Sequence, residues 1–314
     1  MAVKNILEEI ERDVIDVTNT NFVHHDTRVV PSATDSELTY ESGKVKKGKK
    51  IETCVLYVDI RNSVALTEKH NTYTMGRIYT AFTKAVLKVA RHHNGHTRNI
   101  IGDRVMIVFP SKDCYTNSIE CAISINHISH IIIKKHFTGV DFKCGIGIDF
   151  GELRVIKVGI QRYGSENGEN KGLVWVGNPA NIASRLTDIA NKNIEETYFE
   201  FIRYSKKQNG FRYIYGFDSI EISELTPAEL ADMIYTSSNV GFDITEGKNI
   251  KLEKKVRINN FKSILMTEKV YEGFKIANPD KKSTTDLFEA EQINKIKEYE
   301  GQIYGGDVIW NTYN

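Results

Sequence analysis

The strongest constraint on the fold is a ten-residue run, IETCVLYVDI, at positions 51 to 60. Its aliphatic and β-branched residues are typical of a strand buried inside a sheet. The next segment has apolar residues at helical spacing from Ile78 to Val89, and Asn94-Gly95 is a signal that ends a helix. The chain therefore begins its folded core with a buried strand followed by a long helix.

The elements that follow complete a recognisable order. Two β-like runs, HTRNII and RVMIVF, flank Gly102-Asp103 and predict a hairpin with an acid at its exposed tip. A second helix is predicted over about 114 to 136, with strands at about 141 to 152 and 172 to 177 and a strand and helix at 261 to 274. The tail YGGDVIW is a candidate last strand. This order predicts an α+β fold with helices on one face of a mainly antiparallel sheet.

The domain organisation is inferred from where the pattern weakens. Residues 1–50 are predicted to form an N-terminal helix and a polar arm that ends in the basic run KVKKGKK, and residues 51–314 to form one domain. From about 191 to 262 the pattern is weak, which predicts an insertion rather than a second domain. The polar stretch 163–172 lacks the P-loop pattern and is predicted to be a hairpin loop.

Composition excludes several classes of partner. The 42 Lys and Arg residues nearly balance 41 Asp and Glu residues, so no overall field favours nucleic acid. No stretch of about 18 apolar residues occurs, so no membrane insertion is predicted. The four cysteines lack CxxC spacing and lie in apolar stretches, which predicts buried thiols in a cytoplasmic protein.

Two acids lie where predicted strands end, Asp59 in LYVDIRNS and Asp103 in IIGDRVMIVF. Neighbouring strands are about 4.8 Å apart, so carboxylates at adjacent strand ends can share metal ions. Paired divalent cations are what phosphoryl transfer needs. Taken singly, an Asp at a strand end is more often a turn former.

A third motif, GNPANIASRL at 177 to 186, strengthens the metal interpretation. Pro179 suits the first turn of a helix, and Asn181 and Arg185 lie four residues apart on one face of it. An amide and a guanidinium presented together could orient a ribose and neutralise charge on a pentavalent phosphorus. The alternative is a polar stripe on the protein surface.

Taken in order, VLYVDIRNS, IIGDRVMIVF and VGNPANIASRL resemble three motifs of the class III adenylate and guanylate cyclase catalytic domain. The resemblance covers about residues 50–190 and 261–276. It implies a ferredoxin-like catalytic fold that works as a head-to-tail homodimer with its sites at the interface. It also implies two Mg²⁺ or Mn²⁺ ions in each active site.

The resemblance assigns roles to particular residues. Asp59, Asp103 and the main-chain carbonyl of Ile60 would bind the two ions, and Asn181 and Arg185 would come from the other subunit. The reaction would be attack of the substrate's own 3′-hydroxyl on its α-phosphorus.

The phosphates would be held near the start of the following segment. Main-chain amides of residues 60 to 63, which include Asn62 and Ser63, are candidates, as is the side chain of Arg61. The family's triphosphate-binding Lys has no convincing match here, although Lys295 and Lys297 lie in the corresponding C-terminal region.

The base-reading positions depart from the purine-specific members of the family. Adenylate cyclases have a Lys four residues before the second metal Asp, and an Asp or Thr three residues before the Gly of the third motif. Guanylate cyclases typically pair an acid with a small polar residue at these places. This chain has Asn99 and Val174 there, and apolar Val174 cannot hydrogen-bond adenine. Tyr57 lies two residues before Asp59, on the same strand face, and could contact a base.

These departures, with VPSATDSELTYESGK, LYVDIRNS and YGGDV, resemble the pyrimidine cyclases of the bacterial Pycsar antiphage systems. The resemblance implies CTP or UTP as substrate and a partner effector that responds to the cyclic nucleotide product. Asn99 with Arg98 could supply donors to O2 and N3 of cytosine, which favours CTP. UTP is the alternative substrate, because turning the Asn99 amide over exchanges its donor and its acceptor and so suits uracil.

Three other functions compete with this hypothesis. An adenylate cyclase would need the purine-reading residues that are changed here. A non-catalytic nucleotide-binding module usually loses one of the four motif residues, and all four are present. A polymerase-type palm domain would need template-binding domains and a basic surface, which this near-neutral chain does not offer.

Overall fold

The computed structural model describes residues 3–39, 45–162, 165–205, 219–240, 250–291, 296 and 299–311. The chain divides into two compact units. The first comprises Met1–Lys192 with Phe261–Asn314, and the second comprises Asn193–Asn260.

The first unit combines a large sheet with helices. Its helices are α1 (Val3–Asn19), α2 (Ser63–Lys69), α3 (Thr72–His92), α4 (Cys114–His127), α5 (Lys134–His136), α6 (Asn178–Ile189), α8 (Glu268–Ala277) and α9 (Lys282–Thr285). Its strands are β1 (Asn21–Thr27), β2 (Val45–Ile60), β3 (His96–Ile101), β4 (Arg104–Val108), β5 (Cys144–Arg162), β6 (Ser165–Val176), β10 (Ile264–Thr267), β11 (Glu289–Glu291) and β12 (Ile303–Gly306). A π-helical turn, Ile128–Ile133, joins α4 to α5, and a 3₁₀ turn, Pro279–Lys281, joins α8 to α9.

The main sheet has the strand order β11-β12-β10-β5-β2-β4-β3, with β1 paired to β2 and β6 paired to β5. The β1–β2 and β10–β5 pairs are parallel, and the other pairs are antiparallel. The prediction of an α+β fold with a mainly antiparallel sheet is confirmed. The predicted hairpin is also present, as β3 and β4.

Helices cover both faces of this sheet. On one face α3, α4 and α8 bury a large apolar core, which includes Leu56, Phe82, Ile119 and Phe274. On the other face α6 packs through Ala183 against a second cluster. The expectation that helices lie on one face is therefore incomplete, because the face next to α6 is also apolar.

Alternation along β2 determines which residues face α6. Leu56 and Val58 belong to the large core, whereas Tyr57 packs on the cluster beneath α6. Because successive side chains of a strand point to opposite faces, Asp59 lies on the same face as Tyr57. The carboxyl at the end of β2 is therefore presented on the side of the sheet that carries α6.

Two segments predicted to be irregular form strands instead. Much of the predicted polar arm is β1 and the start of β2, which pair in parallel from Asn21 with Val45 to Thr27 with Ile51. Side chains of the basic run alternate between the two faces of β2, so that Lys46 is buried at 1% exposure. Most of the predicted loop at 163–172 is strand, because β6 pairs with β5; residues 163 and 164 lie outside the described residues.

The second unit is a three-stranded antiparallel sheet with one helix. Its elements are β7 (Asn193–Ser205), β8 (Ser219–Leu225), α7 (Pro227–Val240) and β9 (Ile250–Asn260), in the strand order β8-β7-β9. Charged side chains bridge its strands, as where Arg257 donates to Glu196 at 2.8 Å. Such charged strands explain why the apolar pattern is weak in this segment.

In the described part of the chain, no helix has both the length and the apolar character needed to span a membrane.

Candidate active site

The two predicted metal-binding acids lie side by side. Asp59 is next to last in β2, and Asp103 lies in the tight turn between β3 and β4, where Gly102 adopts a φ of 62°. Because β2 and β4 are antiparallel neighbours, with Val58 opposite Val105, the end of β2 lies beside that turn. The two carboxyl groups are within hydrogen-bonding reach of each other.

The pKa of Asp103 is raised, first by partial burial and then by the negative charge of Asp59. The hydroxyl of Ser63 and the backbone at Asp103 oppose this shift. One oxygen of Asp103, Oδ2, is buried and has no hydrogen-bond partner among the described residues. Two converging carboxyls, one with a buried unpaired oxygen, are a donor set that fits a hard divalent cation.

The rest of a cation's coordination shell must come from other donors. No group of three or more His, Cys, Asp and Glu side chains converges anywhere in the described ranges. Ile60, whose carbonyl is the predicted third ligand, is the last residue of β2 and is buried opposite Cys144. A metal ion held by this carboxyl pair would need main-chain, water or phosphate oxygens to complete its coordination.

A positive charge that no sequence motif predicted is bonded to one acid of this pair. Arg104, the first residue of β4, donates from Nη2 to Asp59 Oδ2 at 2.9 Å and also to Asp188 of α6. Its Nη1 donates to Ser184 Oγ at 2.9 Å. Burial lowers the pKa of Arg104, but the bonds to Asp188 and Asp59 outweigh burial, and the pKa is raised. The signal in the sequence was the position of Arg104 directly after a predicted metal ligand.

Helix α6 is held tightly against the sheet next to the carboxyl pair. A Cβ at Gly147 of β5 would overlap the main-chain carbonyl of Ala183, so only glycine allows this approach. The hydroxyl of Thr187 donates to the carbonyl of Tyr57 at 3.1 Å. These contacts fix the register of α6 relative to β2.

The two predicted catalytic residues lie on the outer part of α6. Asn181 is exposed and Arg185 is half-buried. Asp188 follows within one helical turn of Arg185 and contacts Arg104. The structure therefore links the helix that carries Asn181 and Arg185 to the strand that carries Asp59.

Arg61 does not fit its predicted role as a phosphate ligand. Its side chain is 4% exposed and donates to the main-chain carbonyl of Thr187. Its own amide donates to the carbonyl of Lys143 at 2.8 Å, so that amide is not free for a phosphate. The physical reason is Gly145, which leaves space for the guanidinium beneath α6.

One of the neighbouring phosphate-binding candidates contacts the carboxyl pair. Asn62 precedes α2 in a left-handed conformation, with a φ of 55°. Ser63 begins α2, and its hydroxyl interacts with Asp103. Lys295 and Lys297, the candidates for a triphosphate-binding lysine, lie outside the described residues.

Two of the predicted base-reading residues share one row across the sheet. Tyr57 of β2 is opposite Met106 of β4, which is opposite Asn99 of β3. Directly opposed residues in antiparallel strands point to the same face, so all three side chains lie on the α6 side. Asn99 is exposed, and burial raises the pKa of Tyr57.

The third predicted base-reading residue, Val174, lies on β6 and is 40% exposed. Its neighbour Trp175 packs on the same cluster as Tyr57, and the guanidinium of Arg98 lies 6.0 Å from the Trp175 ring centroid. Arg98 precedes Asn99 on β3. The structure therefore brings β3 and β6 together at the positions adjacent to Asn99 and Val174.

Comparison with known proteins identifies the family. No family model matches the chain. A uridylate cyclase from Burkholderia cepacia is 31% identical over 198 residues, which are 62% of this chain and 80% of that protein. The chain belongs to the pyrimidine cyclase family. It is thus a class III nucleotidyl cyclase, and the prediction made from the three motifs is confirmed.

Other relatives of this cyclase carry related names. A uridylate cyclase from Xanthomonas perforans is 29% identical over 204 residues, covering 62% of this chain and 83% of that protein. A cytidylate cyclase from Staphylococcus aureus is 30% identical over 107 residues, covering 32% of this chain and 25% of that protein. The names agree on a pyrimidine nucleotide and differ in the base.

Among solved structures, the cyclase is similar to the adenylyl cyclase CyaB from P. aeruginosa, at 15% identity and a TM-score of 0.47, over 82% of this chain and 94% of that one. It is also similar to the guanylate cyclase domain of RhGC from Catenaria anguillulae, at 14% identity and a TM-score of 0.43, over 81% and 94% of the two chains. Likeness at this level carries no weight for the choice of substrate.

Proposed function

We propose that this cyclase converts UTP to 3′,5′-cyclic UMP and pyrophosphate. The observation that carries the chemistry is the convergence of Asp59 and Asp103, with an unpaired buried oxygen on Asp103. The choice of UTP is supported by the two relatives named uridylate cyclase, each matched over at least 80% of its length. The cytidylate cyclase match covers only 25% of that protein. The proposal is therefore UTP, whereas Asn99 in the sequence favours CTP with UTP as the alternative.

Asp59, Asp103 and the carbonyl of Ile60 are the proposed ligands of two Mg²⁺ or Mn²⁺ ions. Bound there, the ions would acidify the 3′-hydroxyl and neutralise charge on the triphosphate. Asp103 would bind a cation in its ionised form, and the positive charge would offset the burial and the Asp59 charge that raise its pKa. Ser63, in contact with Asp103, is positioned to orient that carboxylate.

Asn181 and Arg185 are proposed to act on the site of a second copy in a head-to-tail homodimer. Their place on the outer part of α6 supports this role, because α6 buries its other side against the sheet. Asn181 would orient the ribose, and Arg185 would neutralise negative charge that develops on the phosphoryl oxygens. Each subunit would then supply metal ligands to one site and this pair to the other.

Asn99, Val174 and Tyr57 are proposed to read the base. Uracil presents two carbonyl acceptors and an N–H donor, and the exposed amide of Asn99 can donate and accept at once. Val174 offers only an apolar contact, which suits the small pyrimidine ring and leaves the polar groups of a purine unpaired. Tyr57 lies in the same sheet row as Asn99 and would pack against the ring.

The product is proposed to act as a second messenger in antiphage defence. This role follows from the resemblance of the motifs to Pycsar cyclases, whose products control a separate effector protein. The cyclase itself would then need no stable contact with that effector.

The experiment is to incubate the purified protein and Mn²⁺ with UTP, CTP, ATP or GTP separately and to identify each product by mass. Cyclic UMP as the main product is expected. Cyclic CMP as the main product would show that the enzyme selects cytosine rather than uracil. Cyclic AMP as the main product would contradict the choice of a pyrimidine. The Asp103→Asn variant, verified as folded by its melting curve, is the matched control and should form no cyclic product.

A further inference from the structure

Arg104 lies between strand β2, which carries the proposed metal ligand Asp59, and helix α6. The same Nη2 atom donates to Asp59 on β2 and to Asp188 on α6, and Nη1 donates to Ser184. The Arg104 side chain is 27% exposed, compared with 17% for Asp59 and 53% for Asp188. One partly buried guanidinium is thus paired with two acids that belong to different elements.

A divalent cation and Arg104 would compete for the same carboxyl group. Asp59 is a proposed metal ligand, and Arg104 supplies the positive charge next to it in this structure. A cation bound between Asp59 and Asp103 would repel the guanidinium, because like charges a few ångströms apart interact strongly in a partly buried site. Asp188, already bonded to the same nitrogen, is the acceptor that would retain Arg104.

We propose that Arg104 is a positioning residue that competes with a divalent ion for Asp59 and transfers its bonding to Asp188 when the ion binds. The inference rests on the proposed metal site. Because Asp188 and Ser184 belong to α6, this transfer links metal occupancy to the helix that carries Asn181 and Arg185. Asp188 tunes metal affinity only through Arg104.

This coupling predicts opposite effects of the two single substitutions. Arg104→Gln removes the competitor, so Mn²⁺ should bind more tightly. Asp188→Asn leaves Asp59 as the sole charged acceptor of Arg104, so Mn²⁺ should bind more weakly. Each change should be about two- to fivefold in the dissociation constant, the equivalent of one partly exposed ion pair.

The decisive measurement is a double-mutant cycle on Mn²⁺ affinity, with free Mn²⁺ followed by electron paramagnetic resonance. A long-range charge effect of Asp188 would persist in the Arg104→Gln background, whereas an effect transmitted by Arg104 must disappear there. Asp280→Asn and Arg91→Gln, at exposed positions outside the site, are controls for the charge changes. Melting curves of the metal-free variants verify folding, and Asp188→Asn alters only a half-exposed side chain.

A vanishing effect of Asp188→Asn in the Arg104→Gln background supports the inference. Additive effects of the two substitutions would overturn it, as would tighter binding by Asp188→Asn alone. The Asp59→Asn variant separates this result from the proposed function. If Asp59→Asn binds Mn²⁺ as the unaltered protein does, the metal site itself is wrong; if it loses binding and the cycle is additive, only the role of Arg104 fails.

Discussion

At the scale of single residues, Asp149 shows how a carboxyl group outside the site affects stability. It is 3% exposed and accepts a hydrogen bond from Thr267 Oγ1 at 2.6 Å. Burial raises the pKa of Asp149 to about 6, because the charged form loses its hydration. The folded protein therefore favours the protonated form of this group.

The sign of the pH dependence follows from this shift. Because the pKa is higher in the folded state than the ordinary value of 3.8, the stabilising contribution is complete below about pH 4 and is lost as pH rises through 6. The side chain of an Asp149→Asn variant is neutral at every pH, so this variant does not lose stability at that position as the pH rises. Its free energy of unfolding relative to the unaltered protein should increase between pH 4 and pH 7 by on the order of 2–3 kcal/mol.

Urea unfolding at several pH values between 4 and 7 measures this difference. The comparison with Asp149→Asn isolates one carboxyl group, since Asp103 and Glu291 also have raised pKa values and contribute in both proteins. Parallel pH profiles for the two proteins would contradict the assignment.

Residue patterns predicted some members of the candidate site and not others. Asp59 and Asp103 were found because each follows an apolar strand, and the structure brings them together. The burial of Arg61 was not predicted, because the sequence does not show that Gly145 makes space for a guanidinium beneath a helix. Arg104 was missed because its partners, Ser184 and Asp188, are about 80 residues away in the chain.

At the scale of elements, the close approach of α6 to β5 is the contact that sets the geometry of the site. Gly147→Ala would force the backbone of α6 away from the sheet, because the added methyl would overlap the carbonyl of Ala183. The expected cost is about 1–3 kcal/mol of stability, as in other overpacked cores. Turnover should also fall, since α6 would shift relative to Asp59.

Gly172→Ala in β6 is the matched control, because nothing lies within 4 Å of a Cβ built there. Urea unfolding and initial rates of both variants measure the two effects. Equal stability and equal rates for the two variants would show that the approach of α6 is not tight.

Elements whose apolar residues recur at regular spacing were predicted well, and elements rich in charged residues were not. The helix at 114–136 is present as α4, the π-helical turn and α5, and the hairpin at Gly102-Asp103 is present as β3 and β4. The basic run before residue 51 was assigned to an arm because its lysines hide a strand that pairs with β1. The strands of the second unit were missed for the same reason, since salt bridges replace much of the apolar pattern there.

At the scale of the whole molecule, the account requires two copies of the chain. In the proposed dimer, one copy would supply the carboxyl pair at Asp59 and Asp103, and the other would supply Asn181 and Arg185 on the outer part of α6. The sequence suggested this arrangement only through a family resemblance, because no property of one chain specifies how two copies meet. The metal site and the trans contribution together form the central claim.

Mixing two inactive variants, Asp59→Ala and Arg185→Ala, tests that claim most directly, with cyclic UMP formed from UTP and Mn²⁺ as the readout. In a mixed dimer, one of the two sites carries both substitutions and the other carries none. With free exchange, half of the dimers are mixed, so the account predicts about one quarter of the activity of the unaltered enzyme. No recovery of activity, in a mixture in which native mass spectrometry shows the mixed dimer, would contradict the account.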